Sequence, residues 1–216
     1  MLISIISDFH GNLNFAVEES NLLLIAGDIC PAYRNFLTSI DMQEDWLNCE
    51  FRKWLKKQPV KNVVICPGNH DWIFEKDINR VPNLGNNVHC LIDERTELLG
   101  LKIYGTPWQL PFCDWAFNLR EEGLKLCWEK IPEDTDILLC HGPPYNIMDI
   151  EGRDNSHIGS ISLSNRIKNI KPKIVAFGHN HNEHGVVEHD GITYVNASLV
   201  DESYNMNREP IVLDID

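Results

Sequence analysis

Five segments of the sequence carry side chains that could bind metal ions. The segments are SDFHG, AGD, PGNHD, CHGPP and FGHNH, and they supply Asp8, His10, Asp28, Asn69, His141, His179 and His181. A single Asp or His of this kind is more often a helix cap, a turn residue or a hydrogen-bonded polar side chain than a ligand. Five segments that repeat the pattern are improbable by accident, and five of the nine histidines fall within them. We therefore interpret the seven side chains as one set of metal ligands.

The number and chemistry of these donors predict two metal ions. Seven ligands exceed what one tetrahedral ion takes and suit two ions about 3.5 to 4 Å apart that share a carboxylate. Carboxylate, amide and imidazole donors without thiolate favour Mn, Fe or Zn over a structural zinc site. Mn²⁺ is the ion we expect first. Most of the segments also carry a glycine, which lets the backbone turn sharply and approach closely.

Each of these segments ends a short apolar run of strand length. The runs are LISIIS, NLLLIAG, KNVVICPG, DILLCHG and KIVAFGH. Most are rich in Ile, Val or Leu without strict alternation, which is typical of strands covered on both faces. In open α/β sheets, ligands bind at the carboxyl ends of such strands. The sequence therefore predicts an α/β fold whose sheet edge carries the ligands.

Two amphipathic helices and two antiparallel pairs complete the predicted elements. The first helix has a capping signal at Asp41 and Glu44 and ends before Pro59, and the second ends before Pro172. Their apolar faces are Leu47, Phe51, Trp54 and Leu55 in the first helix and Leu163, Ile167 and Ile170 in the second. The segments TELLGLKIYG and HGVVEHDGITYVNAS predict antiparallel strands, the latter through an Asp-Gly turn.

Composition indicates one globular domain over residues 1–216. An apolar content of 43% and a charged content of 24% are ordinary for such a protein, and no linker-like tract divides the chain. The longest apolar stretches, such as LLLIA, are too short to cross a bilayer, and the N-terminus does not resemble a secretory signal. Seven cysteines, an odd number without a C-x-x-C pair, favour a reducing, cytoplasmic setting.

The formal charge of -13 argues against a protein that holds an extended nucleic-acid tract, because such binding needs a basic surface. Metal ions can still supply positive charge for a phosphate locally. The sequence gives no indication of oligomeric state.

The ordered pattern Asp-x-His, Gly-Asp, Gly-Asn-His-Asp, His and Gly-His-x-His resembles the calcineurin-like metallophosphoesterase superfamily over nearly the whole chain. The stretches YGTPWQLPFCDWAFN, KPKIVAFGHNH, GITYVNAS and PIVLDI resemble its small metallophosphoesterase-domain-containing branch, whose members are phosphodiesterases that accept 2′,3′-cyclic nucleotides. The resemblance implies a four-layer α/β/β/α sandwich and two metal sites. By that resemblance the first metal is held by Asp8, His10 and His181, the second by Asn69, His141 and His179, and both by Asp28.

The resemblance also implies a mechanism for hydrolysing a small phosphoester. Two divalent cations would generate a bridging hydroxide that attacks phosphorus in line with the leaving oxygen. His70, which follows Asn69 but is not a ligand in the family pattern, is expected to protonate the leaving oxygen, with Asp71 orienting its ring. Two alternatives stay open: His70 caps the turn, and Asp71 caps a helix that begins at Trp72.

Loops over the site should set substrate choice. The loop after His141 carries Arg153 and His157, either of which could contact substrate or lie on a solvated surface, and we favour His157 as the substrate-binding residue. Trp108 and Trp115 could stack on a base. We expect a core position for Trp115 and leave Trp108 open.

Three other functions share parts of this pattern. A phosphomonoesterase or protein phosphatase would use the same metal ligands with different loops. A non-catalytic, metal-stabilised interaction module would be expected to lack some of the ligands or His70, and none is missing here. A nuclease is disfavoured by the acidic charge, although a short end-processing activity is compatible with it.

Overall fold

Two β-sheets pack face to face in the computed structural model of this chain, which describes residues 1–32, 39–152 and 155–215. The strands are β1 (Leu2–Ile6), β2 (Ser20–Ile25), β3 (Val60–Ile65), β4 (Val88–Cys90), β5 (Glu94–Leu98), β6 (Leu101–Thr106), β7 (Ile137–Cys140), β8 (Ile174–Phe177), β9 (Gly185–His189), β10 (Ile192–Asn196) and β11 (Ile211–Asp214). The helices are α1 (Ile40–Trp46), α2 (Arg52–Leu55), α3 (Trp72–Lys76), α4 (Glu121–Trp128) and α5 (Ile161–Ile170). A π-helical turn, Leu47–Phe51, joins α1 to α2, and a 3-10 turn spans Ile78–Arg80.

Both sheets have a parallel centre. The first has the order β11-β1-β2-β3-β4, in which only β11 is antiparallel to its neighbour. The second has the order β5-β6-β7-β8-β10-β9, with antiparallel strands at both edges. A parallel bridge between Ser7 and Ser198 joins the sheets just beyond the ends of β1 and β10. The carboxyl ends of the central strands therefore meet along one edge.

Three apolar clusters separate the four layers. Ile5 and Leu24 of the first sheet pack against Ile103 and Leu139 of the second. Alternate residues of the first sheet, such as Ile25, instead pack against the helices on its outer side. A third cluster joins the second sheet to α4 and α5. The expected α/β/β/α sandwich is confirmed, and burial on both faces explains the nearly continuous apolar runs, since each buried Ile or Leu contributes roughly 2 kcal/mol.

The local predictions hold with one correction. The predicted apolar faces of both helices are buried. The first helix begins two residues earlier than the signal at Asp41 suggested, because the Ser39 hydroxyl accepts the Met42 N–H and caps it. The predicted Asp190-Gly191 turn joins β9 to β10, with positive φ at both residues. Within the three described ranges, no helix has the length and hydropathy needed to span a membrane.

Candidate metal centre and cleft

All seven predicted ligands lie together at the carboxyl-end edge of the sheets. Asp8 and His10 follow β1, Asp28 follows β2, Asn69 follows β3, His141 follows β7, and His179 and His181 follow β8. Five of them are buried, and His179 and His181 are half-buried. The structure thus brings donors that are up to 173 positions apart in sequence into direct contact.

The first group of donors consists of Asp8, His10 and His181. His181 Nε2 lies 3.2 Å from Asp8 Oδ1 and 3.3 Å from His10 Nε2. Burial acts to raise the pKa of Asp8, but the hydrogen bond and charge of His181 prevail and lower it to about 2. Burial lowers the pKa of His10 to about 3. The group therefore offers the Asp8 carboxylate and the neutral imidazole of His10, which are the forms that bind metals.

The second group consists of Asn69, His141 and His179. Asn69 Oδ1 lies 2.9 Å from His141 Nε2 and 2.8 Å from His179 Nδ1. Asp28 lies between the two groups, with Oδ1 3.4 Å from His141 Nε2 and Oδ2 3.8 Å from His10 Nε2. Its carboxylate is 2% exposed, so it is well placed to be shared by two ions.

The hydrogen bonding of this cluster fits bound cations. His141 Nδ1 donates to the carbonyl of Ala26 at 2.8 Å, so a neutral ring turns the Nε2 lone pair toward Asn69 Oδ1 and Asp28 Oδ1. Lone pairs that face one another repel, and a positive charge between them relieves this repulsion. Although burial opposes it, the charge of Asp28 raises the pKa of His141 to about 9, so a proton fills this role when no metal does. The buried His10 Nδ1 has no hydrogen-bond partner among the described residues.

Backbone conformation at the centre is unusual. Four donors have left-handed conformations: Asp8 (φ 51°), His10 (φ 44°), Asp28 (φ 53°) and His179 (φ 65°). Such conformations cost of order 1–3 kcal/mol each in residues other than glycine and cluster at functional sites. The fold tolerates this backbone strain, and the strained conformations turn several donor side chains toward one point.

Two glycines leave the space that the carboxylates occupy. A Cβ on Gly68 would collide with Asp28 Oδ1 and stand 2.8 Å from His141 Cε1. A Cβ on Gly178 would collide with Asp8 Oδ2 and with the Ser7 hydroxyl. The glycines in these segments therefore allow the close approach that the sequence analysis expected.

His70 lies beside the cluster, whereas Asp71 points away from the His70 ring. His70 Nε2 is 3.7 Å from Asp28 Oδ2, and its Nδ1 has no hydrogen-bond partner in the described part of the chain. The Asp71 carboxylate instead accepts backbone N–H groups of Gly68 at 2.7 Å, Cys30 at 2.8 Å and Ile29 at 3.0 Å. It thus joins the loops after β2 and β3, and the expected contact that would orient His70 is not formed.

The alternative role of Asp71 as a helix cap is met only by its backbone. Asp71 precedes α3, but its side chain makes no capping hydrogen bond, because the carboxylate is held by the two loops. Its carbonyl accepts the Phe74 N–H at 3.1 Å.

Comparison with known proteins places this arrangement in a family. A family model described as calcineurin-like phosphoesterase matches residues 1–183. The chain belongs to the calcineurin-like phosphoesterase family. The predicted family and fold are confirmed. Members depend on two metal ions, and the cluster supplies candidate residues to hold them.

Relatives of this phosphoesterase belong to the expected branch. Metallophosphoesterase domain-containing protein 1 of Homo sapiens is 31% identical over 191 residues, covering 77% of this chain and 59% of the human protein. This chain thus spans less than two thirds of that relative. A UPF0046 protein of Caenorhabditis elegans is 32% identical over 200 residues, covering 79% of this chain and 70% of the worm protein. The structure of phosphopantetheinyl hydrolase from Mycobacterium tuberculosis shares the fold at a TM-score of 0.60 and 14% identity, covering 94% of this chain and 90% of that one.

A cleft of about 320 Å³ opens onto the metal-ligand cluster of the phosphoesterase. Trp115 lines it with its ring 4.1 Å from that of His70, so the expectation of a core position for Trp115 is wrong. Trp108 is also half-buried, but it packs against the apolar clusters and not in this cleft. Its ring meets Phe117 at 5.4 Å, and its Nε1–H donates to Asp93 at 3.0 Å.

His157 does not line this cleft. Its Nδ1–H donates to Asp149 Oδ1 at 2.9 Å, and its ring lies 4.6 Å from the ring of Tyr145. Asp149 Oδ2 also accepts the Gly159 N–H, so His157 helps to fix the fold of its own loop. Substrate contact by His157 stays a prediction that this geometry does not favour. Arg153 lies outside the described residues.

Several residues of the site carried no signal that the sequence analysis used. Tyr204 lies over the cluster, with its ring 4.8 Å from His10 and 5.1 Å from His181. Arg208 donates to the carbonyls of His181 at 2.6 Å and Val200 at 2.9 Å, and so joins two loops of the site. The segment after GITYVNAS holds both residues. Because it follows a strand that is parallel to β8, its place at the ligand edge could have been inferred.

Gln43 is a further residue that the sequence analysis missed. Its side-chain amide bridges the loop after β3, donating to the His70 carbonyl at 2.8 Å and accepting the Ile73 N–H at 2.9 Å. The residue is fully buried in α1, so the helix fixes the backbone on which His70 stands.

Proposed function

We propose that this phosphoesterase hydrolyses small phosphodiesters, with 2′,3′-cyclic nucleotides as the first class to test. The observation that carries the proposal is the cluster of seven donors, which borders a cleft of about 320 Å³. Within it, the carboxylate of Asp28 lies between the two groups formed by the other six donors. That volume is at the small end of the range for small-molecule pockets. The formal charge of -13 disfavours a long polyanionic polymer as substrate.

The contacts support a division of the donors into two metal sites. Asp8, His10 and His181 touch one another and would hold the first ion. Asn69, His141 and His179 form the second set, and Asp28 reaches both. The mixture of oxygen and imidazole donors suits Mn²⁺, with Fe or Zn as alternatives.

The chain's own residues have separate tasks in the proposed reaction. Bound divalent ions supply Lewis acidity, which neutralises phosphate charge and makes a water molecule acidic. His70 is buried at 2% exposure, and its Nε2 lies near Asp28 at the floor of the cleft, where it can protonate a leaving oxygen. Burial lowers the pKa of His70 from its ordinary value, which makes the protonated ring a stronger acid but a less populated one near neutral pH. Asp71 and Gln43 act indirectly, because they hold the backbone around His70.

The test compares two ester classes on metal-stripped protein reloaded with Mn²⁺. Bis(p-nitrophenyl) phosphate and p-nitrophenyl phosphate report diesterase and monoesterase activity with the same chromophore. With a 2′,3′-cyclic nucleotide, whose leaving alkoxide needs a proton, His70→Ala should lower turnover at least about 100-fold, as expected for loss of a general acid. His189→Ala, which changes an exposed histidine at the end of β9, is the matched control and should behave as wild type.

Preference for the monoester would replace the proposal with a phosphomonoesterase. Failure to turn over either ester, with metals bound, would support a metal-stabilised interaction module instead. Turnover of the cyclic nucleotide that survives His70→Ala would remove His70 from the mechanism.

A further inference from the structure

Aromatic side chains border both halves of the metal-ligand cluster. The ring of Trp115 lies 4.1 Å from that of His70 at a tilt of 56°, and Phe112 meets His179 edge-on at 5.4 Å. Tyr204 lies across His10 and His181 on a different loop. All three aromatic side chains line the same cleft. These side chains form two aromatic walls beside the metal-ligand cluster. A planar ring in the substrate, next to its phosphate group, could stack on such walls.

The wall that carries Tyr204 is held firmly in place. Asp201 Oδ1 accepts the backbone N–H groups of Ser203 at 2.9 Å and Asn205 at 3.0 Å. Its Oδ2 accepts the side-chain amide of Asn207 at 2.8 Å. The turn fixes Tyr204 in a left-handed conformation with φ 61°. A rigid, pre-positioned ring loses little entropy on binding, which favours recognition over accidental exposure.

The rim of the cleft carries hydrogen-bond acceptors that have no donor among the residues that the structure describes. Glu202 Oε1 and Asn182 Oδ1 converge beside Gly152, each 2.5 Å from where a Cβ of residue 152 would stand. Neither side chain makes a hydrogen bond or ion pair with a residue that the structure describes, and Glu151 adds another carboxylate to the lining. No Lys or Arg is present among the described residues of this lining. Glu202 is exposed and Asn182 is half-buried, so water can satisfy both acceptors in the free protein, and both can accept N–H donors from a ligand.

We propose that this cleft selects phosphodiesters with a planar base whose edge bears adjacent N–H donors, with Tyr204 as a stacking residue and Glu202 as the acceptor. This inference rests on the proposed diesterase function and deepens it. Among the common bases, guanine offers an N1–H next to a 2-amino group, hypoxanthine lacks the amino group, and uracil presents carbonyl oxygens on both sides of its N–H. A carboxylate accepts from the first and repels the carbonyls of the last.

The test measures Mn²⁺-loaded enzyme with the 2′,3′-cyclic phosphates of guanosine, inosine and uridine. Guanosine and inosine differ by one amino group, and we expect kcat/KM to be roughly 5- to 100-fold higher for guanosine, mainly through KM, with uridine below both. Glu202→Gln should bring the guanosine-to-inosine ratio toward unity. Glu209→Gln, an exposed carboxylate of the same segment, should leave the ratio unchanged.

A second comparison isolates stacking. Tyr204→Leu should raise KM for all three nucleotides roughly 5- to 100-fold, whereas Tyr204→Phe should keep it near wild type. Calorimetric titration with GMP and IMP gives the same contrast in binding without turnover. Tighter binding of GMP that Glu202→Gln abolishes supports the proposal.

Equal kcat/KM for guanosine and inosine, or a ratio that Glu202→Gln does not change, would overturn the inference. If bis(p-nitrophenyl) phosphate is still hydrolysed in that case, the proposed diesterase function stands and only the base selectivity falls. If no diester is hydrolysed, the GMP and IMP titrations decide the selectivity independently, and equal affinities reject it.

Discussion

Replacing Gly178 by alanine should damage the metal centre without replacing any of its seven candidate ligands. The new Cβ would collide with Asp8 Oδ2 and the Ser7 hydroxyl, and would stand 2.7 Å from Ser7 Cβ. Ser7 cannot yield easily, because its hydroxyl donates to the Ala26 carbonyl at 2.9 Å and its backbone bridges the two sheets. The Asp8 carboxylate must therefore move.

Movement of Asp8 has a predictable energetic cost. Its carboxylate accepts the backbone N–H of His179 at 3.0 Å and lies 3.2 Å from His181 Nε2. Overpacking costs about 1–3 kcal/mol, and losing a hydrogen bond to a charged group costs about 1.5–3 kcal/mol. We expect the free energy of unfolding to fall by about 3 kcal/mol, which lowers Tm by roughly 6–12 °C for a chain of this size.

A second glycine gives a matched control. Gly123 lies within α4, where a Cβ would make ordinary contacts with Leu119 at 3.4 Å or more. Gly123→Ala should raise stability by roughly 0.5–1 kcal/mol, because alanine favours the helix.

Thermal unfolding with and without Mn²⁺ is the assay. Wild type and Gly123→Ala should gain stability on adding metal, since ligand that binds only the folded state shifts the equilibrium. Gly178→Ala should gain much less. A Gly178→Ala protein with wild-type Tm and a wild-type response to Mn²⁺ would refute the placement of Asp8 described above.

Three further substitutions probe contacts around the site and core. Asp71→Asn puts an amide donor against backbone N–H groups, so the free energy of unfolding from urea titration should fall by about 2–4 kcal/mol; a change below about 0.5 kcal/mol would contradict this. Arg208→Met removes the donor to the His181 carbonyl and should weaken Mn²⁺ binding in calorimetry, and an unchanged Kd would exclude that coupling. Burial acts to raise the pKa of Asp136, but its bonds to the Lys102 N–H and to Lys173 lower it below its ordinary value. The ionised Asp136 carboxylate stabilises the folded state at pH values above its unfolded pKa, and this stabilisation is lost as the carboxylate is protonated. The Tm difference between wild type and Asp136→Asn should therefore shrink as the pH falls below about 4. A constant difference would count against the ion pair.

Donor positions were predictable because each follows a buried strand. Parallel strands place their carboxyl ends at one edge, so Asp28 and His141 meet although 113 positions separate them in the sequence. The residues that misled the sequence analysis are those whose partners lie far away in the chain. Asp71 follows His70, yet its carboxylate is taken by backbone N–H groups after β2. Adjacency in sequence does not make two side chains neighbours.

The cleft walls were harder to foresee for a related reason. Trp115 looks like a core residue by composition, but the Ala116 N–H donates to the Asn69 carbonyl at 3.1 Å and draws the loop to the metal ligands. Tyr204 depends on the turn that Asp201 organises. Such loop geometry arises from tertiary hydrogen bonds, which apolar periodicity does not encode.

The central claim is that Asp28 is shared by two metal ions, and its most direct test is the count and coupling of bound Mn²⁺. After equilibrium dialysis, elemental analysis of wild type should find two ions per chain, and the electron paramagnetic resonance spectrum should show an exchange-coupled pair. Asp28→Asn should lose the coupled signal and at least one ion, whereas the exposed control Asp45→Asn should keep both. One ion per wild-type chain, or two ions without coupling, would contradict the account.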